Sequence, residues 1–78
     1  MINDIELMRE LDVYDVSDIG VRSSFSENLL EVTLVNGSVR QFSFNGALPV
    51  DLEFLIDEYS LLSLSERASI LRRIKAII

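Results

Sequence analysis

The chain has no cysteine, no histidine and no tryptophan, and only one proline among its 78 residues. Those absences exclude a good deal of chemistry. Without Cys or His there is no thiolate nucleophile, no disulfide, no imidazole base and none of the usual zinc or haem ligand sets. Glycine is equally scarce. Gly20, Gly37 and Gly46 stand too far apart to open a Gly-x-Gly or Gly-Lys-Ser/Thr loop, so no phosphate cradle is expected. The ten serines lack a histidine partner, and the sole lysine, Lys75, falls on a predicted surface helix, which leaves no credible Ser-Lys dyad. Turn and cap roles explain the serines better. The expectation is a non-enzymatic protein with no catalytic residue, cofactor or metal.

Basic residues are also in short supply. Seven stand against thirteen acids, for a net charge of −6, which argues against direct binding to nucleic acid phosphates. No apolar run approaches the ~18 residues of a membrane span. The opening Met-Ile-Asn-Asp-Ile-Glu is acidic where a secretory signal carries bases, so a cytoplasmic protein without a membrane partner is expected. The acids fall mainly in residues 1–18 and 49–60, whereas residues 61–78 hold Arg67, Arg72, Arg73 and Lys75 against Glu66 alone. That asymmetry separates an acidic front and middle from a basic end.

The remaining composition, 49% hydrophobic and 26% charged, describes one small globular domain spanning residues 1–78. A chain this short buries roughly 60 to 65% of its unfolded surface and is stable alone by about 4 to 12 kcal/mol. With no disulfide available, oligomerisation is the natural further source of stability, and a homodimer is expected.

Residues 3–11 are predicted helical, with Ile5, Leu7, Met8 and Leu11 on one stripe and Asn3 or Asp4 as cap. Val13, Val16 and Ile19 recur at spacings of three, a pattern that fits continued helix or turn better than strand, with Gly20 ending it. Residues 20–44 carry alternation typical of strands, and Ser26-Glu27-Asn28 and Asn36-Gly37 mark the two turns of a three-strand antiparallel meander. A two-residue Asn36-Gly37 turn would put Phe42 and Phe44 on the opposite face from Leu30, Val32 and Leu34. A bulge or a three-residue loop is therefore expected there. Pro49 suits the first position of a helix running over Val50–Ser60, and Ser63-Leu64-Ser65-Glu66 has capping-box spacing at the start of a second late helix over 64–78. The fold class is thus α+β, in the order α-β-β-β-α-α, with helices on one face of the meander.

Three surfaces are candidates for function. Asp12, Asp15 and Asp18, spaced by three, form an acidic rail that Glu6 and Glu10 extend. It lacks the alternating oxygens and central Gly of a calcium loop, and a solvated face explains it simply. Its sharper use is to imitate a row of phosphates and dock on a basic groove of a larger protein. In helix 50–60, Leu52, Leu55, Ile56 and Tyr59 form one stripe while Val50, Phe54 and Leu61 lie opposite, so one face can cover the sheet and the other must find a neighbour. Together with Arg67, Ile74 and Ile78 of the last helix, Phe54 and Leu61 are the expected oligomer interface. Ile70, Leu71, Ile74, Ile77, Ile78 and Leu64 occupy one arc of that helix, with Arg72, Arg73 and Lys75 away from it. Arg67 falls inside the arc. Either it lays its methylenes along the core edge and carries its guanidinium to water, or it pairs with Asp57 or Glu58.

The function these features suggest is an acidic interaction protein, an inhibitor or adaptor that occupies a basic, nucleic-acid-binding type of surface. A small phage-type anti-defence protein is one such case. Two other classes remain open: a small-ligand binder with a dimer cleft lined by Arg22, Arg40, Gln41 and Tyr59, and a structural subunit that assembles through the late helices.

Overall fold

The computed structural model describes residues 4–23, 28–44, 46 and 48–77. Helix α1 (Asp4–Glu10) leads into a 3-10 turn (Val13–Asp15), then strands β1 (Val16–Ser23), β2 (Asn28–Leu34) and β3 (Val39–Phe44). Helix α2 (Val50–Asp57), a second 3-10 turn (Tyr59–Leu61) and helix α3 (Leu64–Ile77) complete the order. The sheet is an antiparallel meander, β1-β2-β3, with the helices on one face, as the alternation and turn signals require.

The segment from Val16 to Ile19 corrects the helical reading. It is strand, and its register slips between Val16 and Asp18, so Val16 stands opposite Leu34 and Asp18 opposite Thr33. Ser17 is the extra residue of a β-bulge, and its hydroxyl donates to the Thr33 carbonyl at 3.1 Å. One inserted residue turns the strand period of two into a local spacing of three, which imitates a helix. Val16 and Ile19 therefore reach the same buried face despite their spacing. Gly20 does not end a helix but lies within β1, opposite Glu31.

The β2–β3 connection takes the expected three-residue form. The Leu34 N–H donates to the Ser38 carbonyl at 2.8 Å, the Gly37 N–H donates to the Leu34 carbonyl at 2.9 Å, and Gly37 has φ +90°. A three-residue loop closed by a left-handed glycine shifts the register by one relative to a two-residue turn. Leu30 accordingly faces Phe42 and Val32 faces Arg40, which brings Leu30, Val32, Phe42 and Phe44 into one core. The Ser26-Glu27 part of the first turn lies outside the described residues, and Asn28 is already in β2.

Pro49 precedes α2 by one position, its carbonyl accepting from the Glu53 N–H at 3.0 Å. The α-helix stops at Asp57, short of the predicted Ser60, and the chain tightens into the second 3-10 turn through the Leu61 N–H and Glu58 carbonyl. At α3 the capping box forms as read: the Glu66 N–H donates to Ser63 Oγ at 3.3 Å and the Ser63 N–H donates to Glu66 Oε1 at 3.4 Å. Met8 and Leu11, the strand residues named above, Leu52, Ile56 and Tyr59, and Ile70, Leu71 and Ile74 share one continuous core.

Candidate functional site

The two stripes carried by α2 and the 3-10 turn after it have opposite fates. Leu52, Ile56 and Tyr59 are fully buried and Leu55 is half-buried, whereas Val50, Phe54 and Leu61 remain 70%, 67% and 85% exposed. The described part of the chain does not consume both faces. Val50, Glu53, Phe54 and Asp57 line a shallow groove of about 190 Å³. The carboxylates of Glu53, Asp57 and Glu58 make no hydrogen bond or ion pair with a described residue, and all three are exposed. Asp51 differs. Its carboxylate receives both Arg73 guanidinium nitrogens, at 2.9 and 3.3 Å, which ties the first turn of α2 to α3. That hydrogen-bonded pairing holds the Asp51 carboxyl below the usual carboxylate range and raises Arg73.

The acidic rail does not run along one helix. Asp12 and Asp15 fold the first 3-10 turn onto itself: the Asp12 N–H donates to Asp15 Oδ2 at 2.9 Å and the Val13 N–H donates to Asp12 Oδ1 at 2.6 Å. Asp18 sits on β1, where its Oδ1 accepts the Ile19 N–H at 2.9 Å. Glu6 and Glu10 lie exposed on α1. Three aspartates spaced by three thus serve the backbone of a turn and a bulge, and among the described residues no three acids converge as a metal site would require.

The residues expected at an oligomer interface separate as well. Phe54 and Leu61 are at the surface, Ile74 is wholly buried within the chain, and Ile78 lies outside the described residues. Arg67 makes no ion pair with Asp57 or Glu58. It is half-buried and donates from Nε to the Tyr59 carbonyl at 3.0 Å and from a terminal nitrogen to the Ser60 carbonyl at 2.7 Å. The carbonyl oxygens at the end of a 3-10 turn attract the guanidinium as a carboxylate would, which sequence spacing could not reveal.

Arg22, Arg40, Gln41 and Tyr59 do not line one cleft. Arg22 and Gln41 meet on the open sheet face, where Arg22 Nε lies 3.3 Å from Glu31 Oε2 and Gln41 Nε2 donates to the same oxygen at 3.3 Å. Arg40 alternates with Gln41 and takes the other side of β3, and Tyr59 is in the core.

A second depression went unread in the sequence. Leu11, Asp12 and Val13 face Ser65, Ala68, Leu71, Arg72 and Lys75 of α3 across a cleft of about 360 Å³. Lys75, read as lying away from the apolar arc, is half-buried and its Nζ donates to the Leu11 carbonyl. The available signal was the four-residue step from Leu71 to Lys75, which puts them on neighbouring positions of one helix face.

Comparison with protein-family models, with curated proteins and with solved structures returns no match. The functional reading therefore rests on the chain's own surfaces.

Proposed function

We propose that the protein is a non-enzymatic binding module, an inhibitor or adaptor whose α2 face docks on a basic amphipathic segment of a larger protein. The observation that carries this reading is Phe54: an aromatic ring two-thirds exposed, in a groove with Val50 and bordered by the Glu53 and Asp57 carboxylates, which have no partner among the described residues, while Leu61 of the following turn is exposed as well. Large apolar side chains grouped at a surface and rimmed by charge are the usual signature of an interaction site.

Magnitudes favour a charge-assisted partner. Burying Val50, Phe54 and Leu61 is worth about 1.5–3 kcal/mol each at most. Association costs roughly 4–15 kcal/mol in lost rigid-body freedom, which offsets most or all of that gain, so three apolar side chains alone leave little surplus. Glu53, Asp57 and Glu58 supply attraction only to a basic surface. A second copy docked about a two-fold axis through this face would instead set these acids against themselves, so the homodimer is the weaker use of the same patch. The acidic residues Asp12, Asp15 and Asp18 add long-range attraction for the same partner without forming a continuous rail.

Site-directed photo-crosslinking tests the reading. A crosslinker at position 61 should capture proteins with basic surfaces, whereas the same group at Val39, on the open sheet face, should not. Equal yields at both positions would remove α2 as the docking face.

A further inference from the structure

We infer that the cleft between the first 3-10 turn and α3 is a binding site for a small organic anion with an apolar body. It lies apart from the α2 face and does not depend on that face's role. Its volume, about 360 Å³, falls at the lower end of the range for small-molecule sites, roughly 300–1,000 Å³. The lining divides by chemistry. Leu11 and Leu71, both buried, form an apolar floor with Val13 and Ala68. Arg72 and Lys75, one helical turn apart, place two cations at the rim.

The two cations do different work. Lys75 Nζ is held by the Leu11 carbonyl, which fixes a positive charge at the mouth and joins α3 to the chain leaving α1. Arg72 is exposed and makes no hydrogen bond or ion pair with a described residue, so its guanidinium fork is free to receive a carboxylate or phosphate. The one acid of the lining, Asp12, already accepts the Val13 N–H and caps the turn. Ser65 adds a hydroxyl on the α3 side. The rim is thus net positive in a chain whose total charge is −6, and an anion finds its favourable contact here beside a hydrocarbon floor.

The experiment is a chemical-shift titration of the full chain with phenyl phosphate and with hexanoate, using inorganic phosphate and benzyl alcohol as controls. Saturable shifts are expected at Val13, Ser65, Ala68 and Arg72 with the two amphiphilic anions, and markedly weaker ones with either control. Arg72→Gln should weaken binding about tenfold or more by removing the charge-assisted hydrogen bonds. Ala68→Leu, which fills the floor with a good helix former, should abolish binding while circular dichroism stays unchanged. Should Ala68→Leu disturb the fold, the surface variant Arg72→Gln decides alone. The inference is overturned if neither anion gives saturable shifts at these residues, if Arg72→Gln binds as the parent does, or if inorganic phosphate binds there equally well.

Discussion

The guanidinium of Arg67 is held over the ring of Tyr59, 5.4 Å from its centroid, while Nε donates to the carbonyl of the same tyrosine at 3.0 Å. One side chain from the first turn of α3 thereby fastens the second 3-10 turn, which in turn lies against β1. Leu61, the most exposed apolar residue of the α2 face, belongs to that turn. Arg67 is therefore a support for the proposed docking surface rather than a part of it.

Arg67→Met should lose about 1–3 kcal/mol of stability, the range for hydrogen bonds made by a charged group and a stacked cation. Asp57→Asn and Glu58→Gln should change stability little, because neither carboxylate pairs with Arg67. Denaturant unfolding at two protein concentrations checks both statements. A concentration-dependent loss in Arg67→Met would move this residue to a subunit interface.

Tyr59 is fully buried, and its hydroxyl has no partner among the described residues. Burial pushes the phenol up from its ordinary value near 10.0, an effect the nearby Arg67 charge opposes. A raised folded-state pKa means stability is unaffected below the ordinary value and falls as pH rises from there through the folded value. Tyr59→Phe should lack that alkaline loss and at neutral pH be at least as stable as the parent, since no hydrogen bond is broken. Urea unfolding across the alkaline range provides the comparison, and a marked neutral-pH loss in Tyr59→Phe would show that the hydroxyl has a partner.

Gly20 and Gly37 should respond to alanine with opposite signs. An added Cβ at Gly20 meets nothing within 4 Å, and the residue lies in extended strand, so Gly20→Ala should stabilise by about 0.5–1 kcal/mol. Gly37 has φ +90° in the β2–β3 loop, where an L side chain is strained, and Gly37→Ala should cost about 1–2 kcal/mol. Paired thermal melts settle both.

Acid titration isolates the link between α2 and α3. Because Arg73 holds the Asp51 carboxyl below its ordinary value of 3.8, the pair contributes stability above that value and loses it as pH falls through the folded-state pKa. Asp51 is exposed and Arg73 only partly covered, so the effect is small and screened by salt. Asp51→Asn and the parent should differ at neutral pH in low salt and converge at pH values below both pKa values. A difference that persists there would assign another role to Asp51.

Elements whose signals are local were legible in the sequence. The Ser63/Glu66 box, the Asn36-Gly37 turn and the opposed stripes of α2 each depend on a few neighbouring residues, and even the need for a bulge or a third loop residue followed from the conflict between Phe42 and Val32. Val16–Ile19 misled because Ser17 bulges, and a bulge erases the strand period where the period would have been read. For the same reason Asp12, Asp15 and Asp18, evenly spaced in sequence, divide between the 3-10 turn and β1. Arg67 and Lys75 were unreadable for a different reason. Their acceptors are main-chain carbonyls, of Tyr59, Ser60 and Leu11, which every sequence offers everywhere. The cleft over Leu11 joins segments more than fifty residues apart, beyond the reach of any local pattern.

The central claim is that Phe54 and the acids beside it receive a basic amphipathic segment. A titration of the isotope-labelled protein with a synthetic amphipathic leucine/lysine peptide, and with a scrambled peptide of the same composition, tests it most directly. The account predicts shifts centred on Val50, Phe54, Asp57 and Leu61, weaker binding of the scrambled peptide, loss of affinity as salt rises, and a drop of about tenfold or more in Phe54→Ser. Equal affinity for the two peptides, or Phe54→Ser binding as tightly as the parent, would contradict it.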